Sequence, residues 1–339
     1  MKHNLKITLV IIVMFLISML IGLAVVHSYD VHFGKTSQKI ANETNVTIEN
    51  PDVSIIRGTV PPPMEIKRTI DVVSILLSII VAIAIAVILF FIFSKIRVHI
   101  VLKIWFIVVV FICLTIAFTM IFYSIFGSGG LFNFLGKKVL LAEFVAVILA
   151  IILTIWKVKR NVIAHNFTEL FIYSGIAVIF VPILNVLAAS ILLILISIYD
   201  MIAVWKTKHM QALAKFQMEE VKIFTGFLLP YVNKKDKVKI ENIKIQFKKI
   251  KSKKKKENFM KKQKIKVNLA ILGGGDVAFP LIFIGTILLT YGFAAALIVS
   301  LTTMLALTLL LFLAKKGRFY PAMPFLSAGC FLGLLLVLI

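Results

Sequence analysis

Acidic residues are scarce in this chain, 15 against 38 lysines and arginines, and cysteine is scarcer, with only Cys113 and Cys330, both inside apolar runs. Two such thiols cannot build a disulfide framework and are expected to pack as small hydrophobes. The histidines, His3, His27, His32, His99, His165 and His209, show no metal-ligand spacing, so neither a metal nor another cofactor is expected. No aromatic stacking pattern or nucleic-acid motif accompanies the basic residues, which argues against a nucleic-acid partner. No internal repeat is present to support an inverted-repeat transporter. Met1 to Lys6 followed by the apolar run Ile7 to Val26 resembles the start of a secretory leader. The run lacks a small-residue cleavage site and is long enough to span, so it reads as an uncleaved first helix.

What the chain has in abundance is apolar surface. Hydrophobic residues make up 60% of 339 positions, against about half in ordinary soluble domains. An all-α polytopic membrane protein follows. Apolar runs place spans at about 7–26, 70–93, 104–126, 139–156, 167–182, 184–205, 269–291, 293–314 and 320–339, each near the length that a bilayer requires. Two of these divisions rest on parity, because basic loops prefer the cytoplasm. The stretch Trp156 to Arg160 and the loop from Lys206 to Lys266 both read as inside, so the chain between them crosses twice, turning near Pro182 and Asn185. Lys315 to Arg318 also reads as inside, so 267–314 holds two spans with a turn near Tyr291 and Gly292. Nine transmembrane helices result, with the N-terminus cytoplasmic and the C-terminus extracytoplasmic. Lys137 and Lys138 fall outside as exceptions.

The chain divides into 1–164, carrying helices one to four and an external loop at 28–69; 165–205, helices five and six; 206–267, a basic cytoplasmic loop; and 268–339, helices seven to nine. The external loop carries the glycosylation sequons Asn42-Glu43-Thr44 and Asn45-Val46-Thr47. The basic loop holds 20 lysines against five acids, a net of +15 of the chain's +23. It reads as a solvated segment drawn to anionic lipid. Within it His209 to Tyr231 has the spacing of an interfacial amphipathic helix, and Lys234 to Lys264 reads as a mobile linker.

Against this background Asp200 and Asp276 stand out, each inside an apolar span. A carboxylate near mid-membrane is disfavoured by roughly 3 kcal/mol on insertion scales, and such residues are kept for a task. Span six runs inward and span seven outward. Asp200 then lies roughly 8 Å from the basic boundary and Asp276 nominally about 15 Å, at 1.5 Å per helical residue, so the two can meet in the inner half. Two carboxylates about 3 Å apart cannot both ionise cheaply. One keeps its proton and polarises an amide carbonyl while the other deprotonates water. Gly273, Gly274 and Gly275 remove side chains before Asp276 and loosen the helix for an extended substrate; tight helix packing is their structural alternative. Pro321-Ala322-Met323-Pro324 opens the last span, where proline is also an ordinary helix-start device.

Together Tyr199-Asp200, Gly273-Gly274-Gly275-Asp276 and Pro321-Ala322-Met323 resemble the YD, GxGD and PAL motifs of the presenilin and signal peptide peptidase family, in order, on spans six, seven and nine. The similarity covers about 165–339 and is closest over Ile196 to Val204; the N-terminal third matches in layout. Met323 replaces the family's leucine, and Gly274 fills the variable GxGD position, where it adds flexibility. The resemblance implies a nine-helix intramembrane aspartyl protease with Asp200 and Asp276 catalytic, Tyr199 supporting the site and the Pro321 segment shaping it or holding substrate. The chain looks most like archaeal presenilin-type homologues, which implies action in a cell membrane without accessory subunits, alone or as a homo-oligomer. Its inward span six and outward span seven match presenilin and oppose signal peptide peptidase. Single-span substrates with the N-terminus outside are therefore expected.

A cation channel or proton-coupled transporter would also use intramembrane carboxylates, but accounts for neither the glycines nor the Pro-Ala-Met segment. Prepilin peptidases share GxGD but differ in span count and lack the other two motifs. The orientation is directly testable: membrane-impermeant labelling of single cysteines placed in 206–266 should report a cytoplasmic loop, and labelling from the external face would overturn it.

Overall fold

Inside a bilayer, backbone amides must find partners within the protein, and the helix is the local solution. A computed structural model describes residues 5–33, 77, 81, 99–126, 131–134, 137–159, 161–206, 225–231, 268–314 and 320–339. Its helices are α1 (Leu5–Phe33), α2 (His99–Phe126), α3 (Leu141–Val158), α4 (Val162–Phe180), α5 (Val186–Met201), α6 (Gly275–Tyr291), α7 (Phe293–Leu313) and α8 (Met323–Leu338). Six of the described helical stretches are long and apolar enough to cross a membrane: α1, 103–126 of α2, α3, α4, α5 with its extension to Lys206, and α7. The shorter α6 and α8 are equally apolar. Beyond residues 77 and 81, the expected span at 70–93 lies outside the described residues, as does Lys234 to Lys264.

The expected turns occur where the local chemistry demands them. α4 ends at Phe180, and Asn185 begins α5 by accepting the Ala188 N–H on its side-chain oxygen at 2.7 Å, satisfying one of the free amides of a helix start. Between α6 and α7 the chain reverses at Gly292, whose φ of 88° suits glycine.

Two expectations are corrected. The spacing predicts a helix over His209 to Tyr231, yet Gly226–Tyr231 forms a strand, β3; 209–224 lies outside the described residues. Short apolar runs fit either period, and Pro230 is unsuited to a helix interior. Helix seven was expected from residue 269, but Asn268–Gly273 is strand β4, antiparallel to β3 with Gly226 opposite Gly273 and Tyr231 opposite Asn268. A second hairpin, β1 (Leu131–Phe134) with β2 (Lys137–Leu140), leads into α3.

α1 lies centrally, packed on α2, α4, α6 and α7, with Phe15, Met19, Leu23 and Val26 fully buried. Close approach depends on small residues, since lipid supplies little hydrophobic drive between helices. On α8, Gly329 and Gly333 rest against α7: a Cβ at Gly329 would lie 2.7 Å from Ala306 Cβ, and one at Gly333 2.7 Å from Val299 Cα. Thr303 Oγ1 and Cys330 Sγ, 3.2 Å apart, add a polar contact in the same seam.

Replacing Gly329 with leucine should force α7 and α8 apart and lower stability by about 1–3 kcal/mol. Unfolding of the micelle-solubilised protein by sodium dodecyl sulfate checks this, with Leu332→Ala, on the exposed side of α8, as the near-neutral comparison.

Candidate active site

A helix start leaves amides without intrahelical partners, and α8 has no side-chain cap of its own. Its missing acceptor comes from α5. Asp200, 4% exposed, takes the Met323 N–H on Oδ2 at 3.0 Å, with Ala322 N–H also within reach. One turn earlier on α5, Ser197 Oγ meets Ser327 Oγ at 2.8 Å. These two contacts latch α5 to the beginning of α8 and lay Pro321-Ala322-Met323 against the carboxylate. Just after Asp200 the helix widens into a π turn, Ile202–Lys206, a distortion common at functional sites.

Asp276 arrives by another route. β4 ends at Gly273, Gly274 follows, and α6 begins at Gly275, so Asp276 stands in the first turn of its helix. The expected depth of Asp276 rests on a helical pitch from residue 269, and the strand at Asn268–Gly273 replaces that pitch. A helix start also favours a carboxylate electrostatically. α5 packs on α6, and the Asp276 carboxylate lies beside Gly273.

The three glycines serve different purposes. None uses a positive φ, which among the described glycines belongs to Gly226 and Gly292. A Cβ on Gly273 would lie 3.1 Å from Asp276 Oδ2, and one on Gly274 3.1 Å from Tyr173 Oη. Gly275 is exposed, and its Cβ would meet Phe279 at an ordinary 3.5 Å. The first two make room for side chains of the site.

Pro321 and Met323 are buried against Asp200's helix, and Ala322 is half-buried. Tyr199, by contrast, is 55% exposed on the outer side of α5. The tyrosine beside the site is Tyr173 on α4, 2% exposed, with its hydroxyl at Gly274 and in electrostatic reach of Asp276. Below it Glu169 is buried in an ion pair with Lys157, and His165 Nε2 lies 3.7 Å from the same carboxylate oxygen. The sequence held a signal for this cluster in Glu169, which interrupts an apolar span as Asp200 does. Among the described residues no three or more His, Cys, Asp or Glu side chains gather as metal ligands do.

Fold and site define a multi-pass helical membrane protein in which one carboxylate stands at the end of α5, against the start of α8, and the other in the first turn of α6, on helices packed together. The chain belongs to the family described as signal-peptide peptidase, presenilin aspartyl protease, whose model matches residues 64–339. It is an intramembrane aspartic endopeptidase. Two solved structures of a presenilin family intramembrane aspartate protease share its fold. The form in space group C222 is 17% identical with a TM-score of 0.57, covering 98% of each chain. The form in P2 is 18% identical with a TM-score of 0.51, covering 97% of this chain and 96% of that one. No curated protein matches the sequence.

Alanine at each glycine should separate their roles. Gly275→Ala should retain cleavage within about twofold, whereas Gly273→Ala and Gly274→Ala should lose about tenfold, the cost of crowding a packed position. Cleavage rates of a labelled single-span substrate give the ranking.

Proposed function

We propose that Asp200 and Asp276 form the catalytic dyad and hydrolyse peptide bonds within transmembrane helices of single-span substrates. The observation that carries this reading is the packing of α5, with Asp200 near its end, against α6, with Asp276 in its first turn. One carboxylate takes a proton from water, the hydroxide adds to the scissile carbonyl carbon, and the protonated partner hydrogen-bonds the carbonyl oxygen. The tetrahedral intermediate then collapses as a proton passes to the leaving nitrogen, breaking the C–N bond.

A helical substrate hides its amides in its own ladder, so it must unwind before reacting. β4 offers a place for the unwound strand. Gly226 and Leu228 of β3 direct polar backbone atoms toward α4. By the alternation of an antiparallel ladder, Phe227, Leu229 and Tyr231 face β4. The backbone groups of their partners Leu272, Ala270 and Asn268 point back, leaving the backbone groups of Leu269, Ile271 and Gly273 directed outward. A substrate strand added there runs past Asp276.

The nine-helix arrangement, with the 206–267 loop cytoplasmic in a cell membrane, is supported by the basic segments at 156–160 and 206–266. The same arrangement favours substrates whose N-terminus lies outside. Glycine-weakened substrate helices fit the unwinding requirement best.

Asp200→Asn and Asp276→Asn should each reduce cleavage by at least about a hundredfold while leaving an inserted, folded protein. The amide nearly preserves shape but can neither take the proton of water nor share one. Near-normal cleavage by either folded variant would remove that aspartate from the mechanism.

A further inference from the structure

A two-stranded ribbon has two edges and is marginal by itself. In this protein one edge is occupied by side chains. The Asn166 carboxamide donates Nδ2–H to Leu228 O at 2.8 Å and accepts Leu228 N–H on Oδ1 at 2.9 Å, the pair of bonds that a neighbouring strand would make. His165 Nε2 lies 2.8 Å from Gly226 O; a carbonyl only accepts, so this nitrogen carries the proton. The remaining outward position of β3 is Pro230, which has no N–H to offer.

Other contacts hold this clamp. His165 leans toward Glu169, which is ion-paired to Lys157 in the last turn of α3. Higher on α4, Tyr173 packs edge-on against Phe227 with ring centres 5.7 Å apart. The ribbon is thus fastened to α4 along β3, and through β4 and Gly274 to Asp276.

We propose that His165 and Asn166 are positioning residues that close the β3 edge and fix the register at which a substrate strand on β4 meets the aspartates. The inference rests on the reading that substrate pairs with β4. With β3 held by α4, the ribbon cannot rock about its junction with α6, and one substrate peptide bond is presented. Once the clamp is released, the neighbouring register that keeps each side chain on its own face is two residues away. The clamp therefore determines where the substrate is cut, while Asp200 and Asp276 determine whether it is cut.

The test is mass spectrometry of the products from a labelled single-span substrate, cut by the full-length protein in bilayers. Asn166→Leu should raise the fraction cut two residues from the main site about tenfold, the discrimination that one or two hydrogen bonds provide. Asn166→Gln, which keeps the carboxamide, should raise it less. A purely structural role would lower all products together and leave their ratio unchanged, so an unchanged ratio in folded Asn166→Leu overturns the proposal. If Asn166→Leu does not fold, Asn166→Asp is read instead: it keeps the bond from Leu228 N–H but sets a carboxylate oxygen against Leu228 O, and the same shift is expected. An unchanged ratio there overturns the proposal equally. Ile271→Pro removes an outward N–H of β4 at an edge position that tolerates proline. Loss of cleavage in Ile271→Pro with an unchanged ratio in Asn166→Leu defeats the clamp alone. Full cleavage by Ile271→Pro defeats the β4 pairing and the clamp with it.

Discussion

A backbone amide without a partner costs several kcal/mol in hydrocarbon, and the site is organised around the places where this chain accepts that constraint outside a helix. At the start of α8, where no local side chain caps the helix, Asp200 receives the Met323 N–H. Before α6, β4 satisfies one side of its backbone on β3. Both proposed catalytic carboxylates therefore stand beside interrupted helix, where polar backbone is available.

Packing far from the aspartates sets the accuracy of this arrangement. The Gly329 and Gly333 contacts seat α8 on α7, and the Ser197 to Ser327 hydrogen bond ties it to α5; Met323 reaches Asp200 because both seams hold. On the other side, α4 carries Asn166 and His165 at β3, and Tyr173 at Gly274. Two helices that contribute neither aspartate thus place both carboxylates.

Much of the candidate site is legible in the sequence because a charge in an apolar run is costly and therefore conspicuous. Asp200 and Asp276 could be picked out on that ground, as could the glycines and prolines that interrupt neighbouring spans. The same rule marks Glu169, whose ion-pair partner lies in the last turn of α3, but not His165, which precedes the span and reaches β3. Tyr199 illustrates the opposite limit: the family resemblance implies a supporting role for it, but at 55% exposure it lies on the outer side of its helix. Adjacent helical residues point about 100° apart, and only tertiary packing selects which one faces inward.

The sequence by itself determined the membrane class, the helical breaks near Asn185 and Gly292, and the candidate aspartates. These follow from composition, from the length of the apolar runs and, for the breaks, from the parity that the flanking basic segments impose. Tertiary structure decided that 226–231 and 268–273 are strands, that Gly273 and Gly274 clear space for Asp276 and Tyr173, and that Asn166 closes the ribbon's outer edge. Such features depend on what lies opposite a residue in space. For a short apolar run the hydrogen-bonding partner, more than intrinsic preference, chooses between helix and strand.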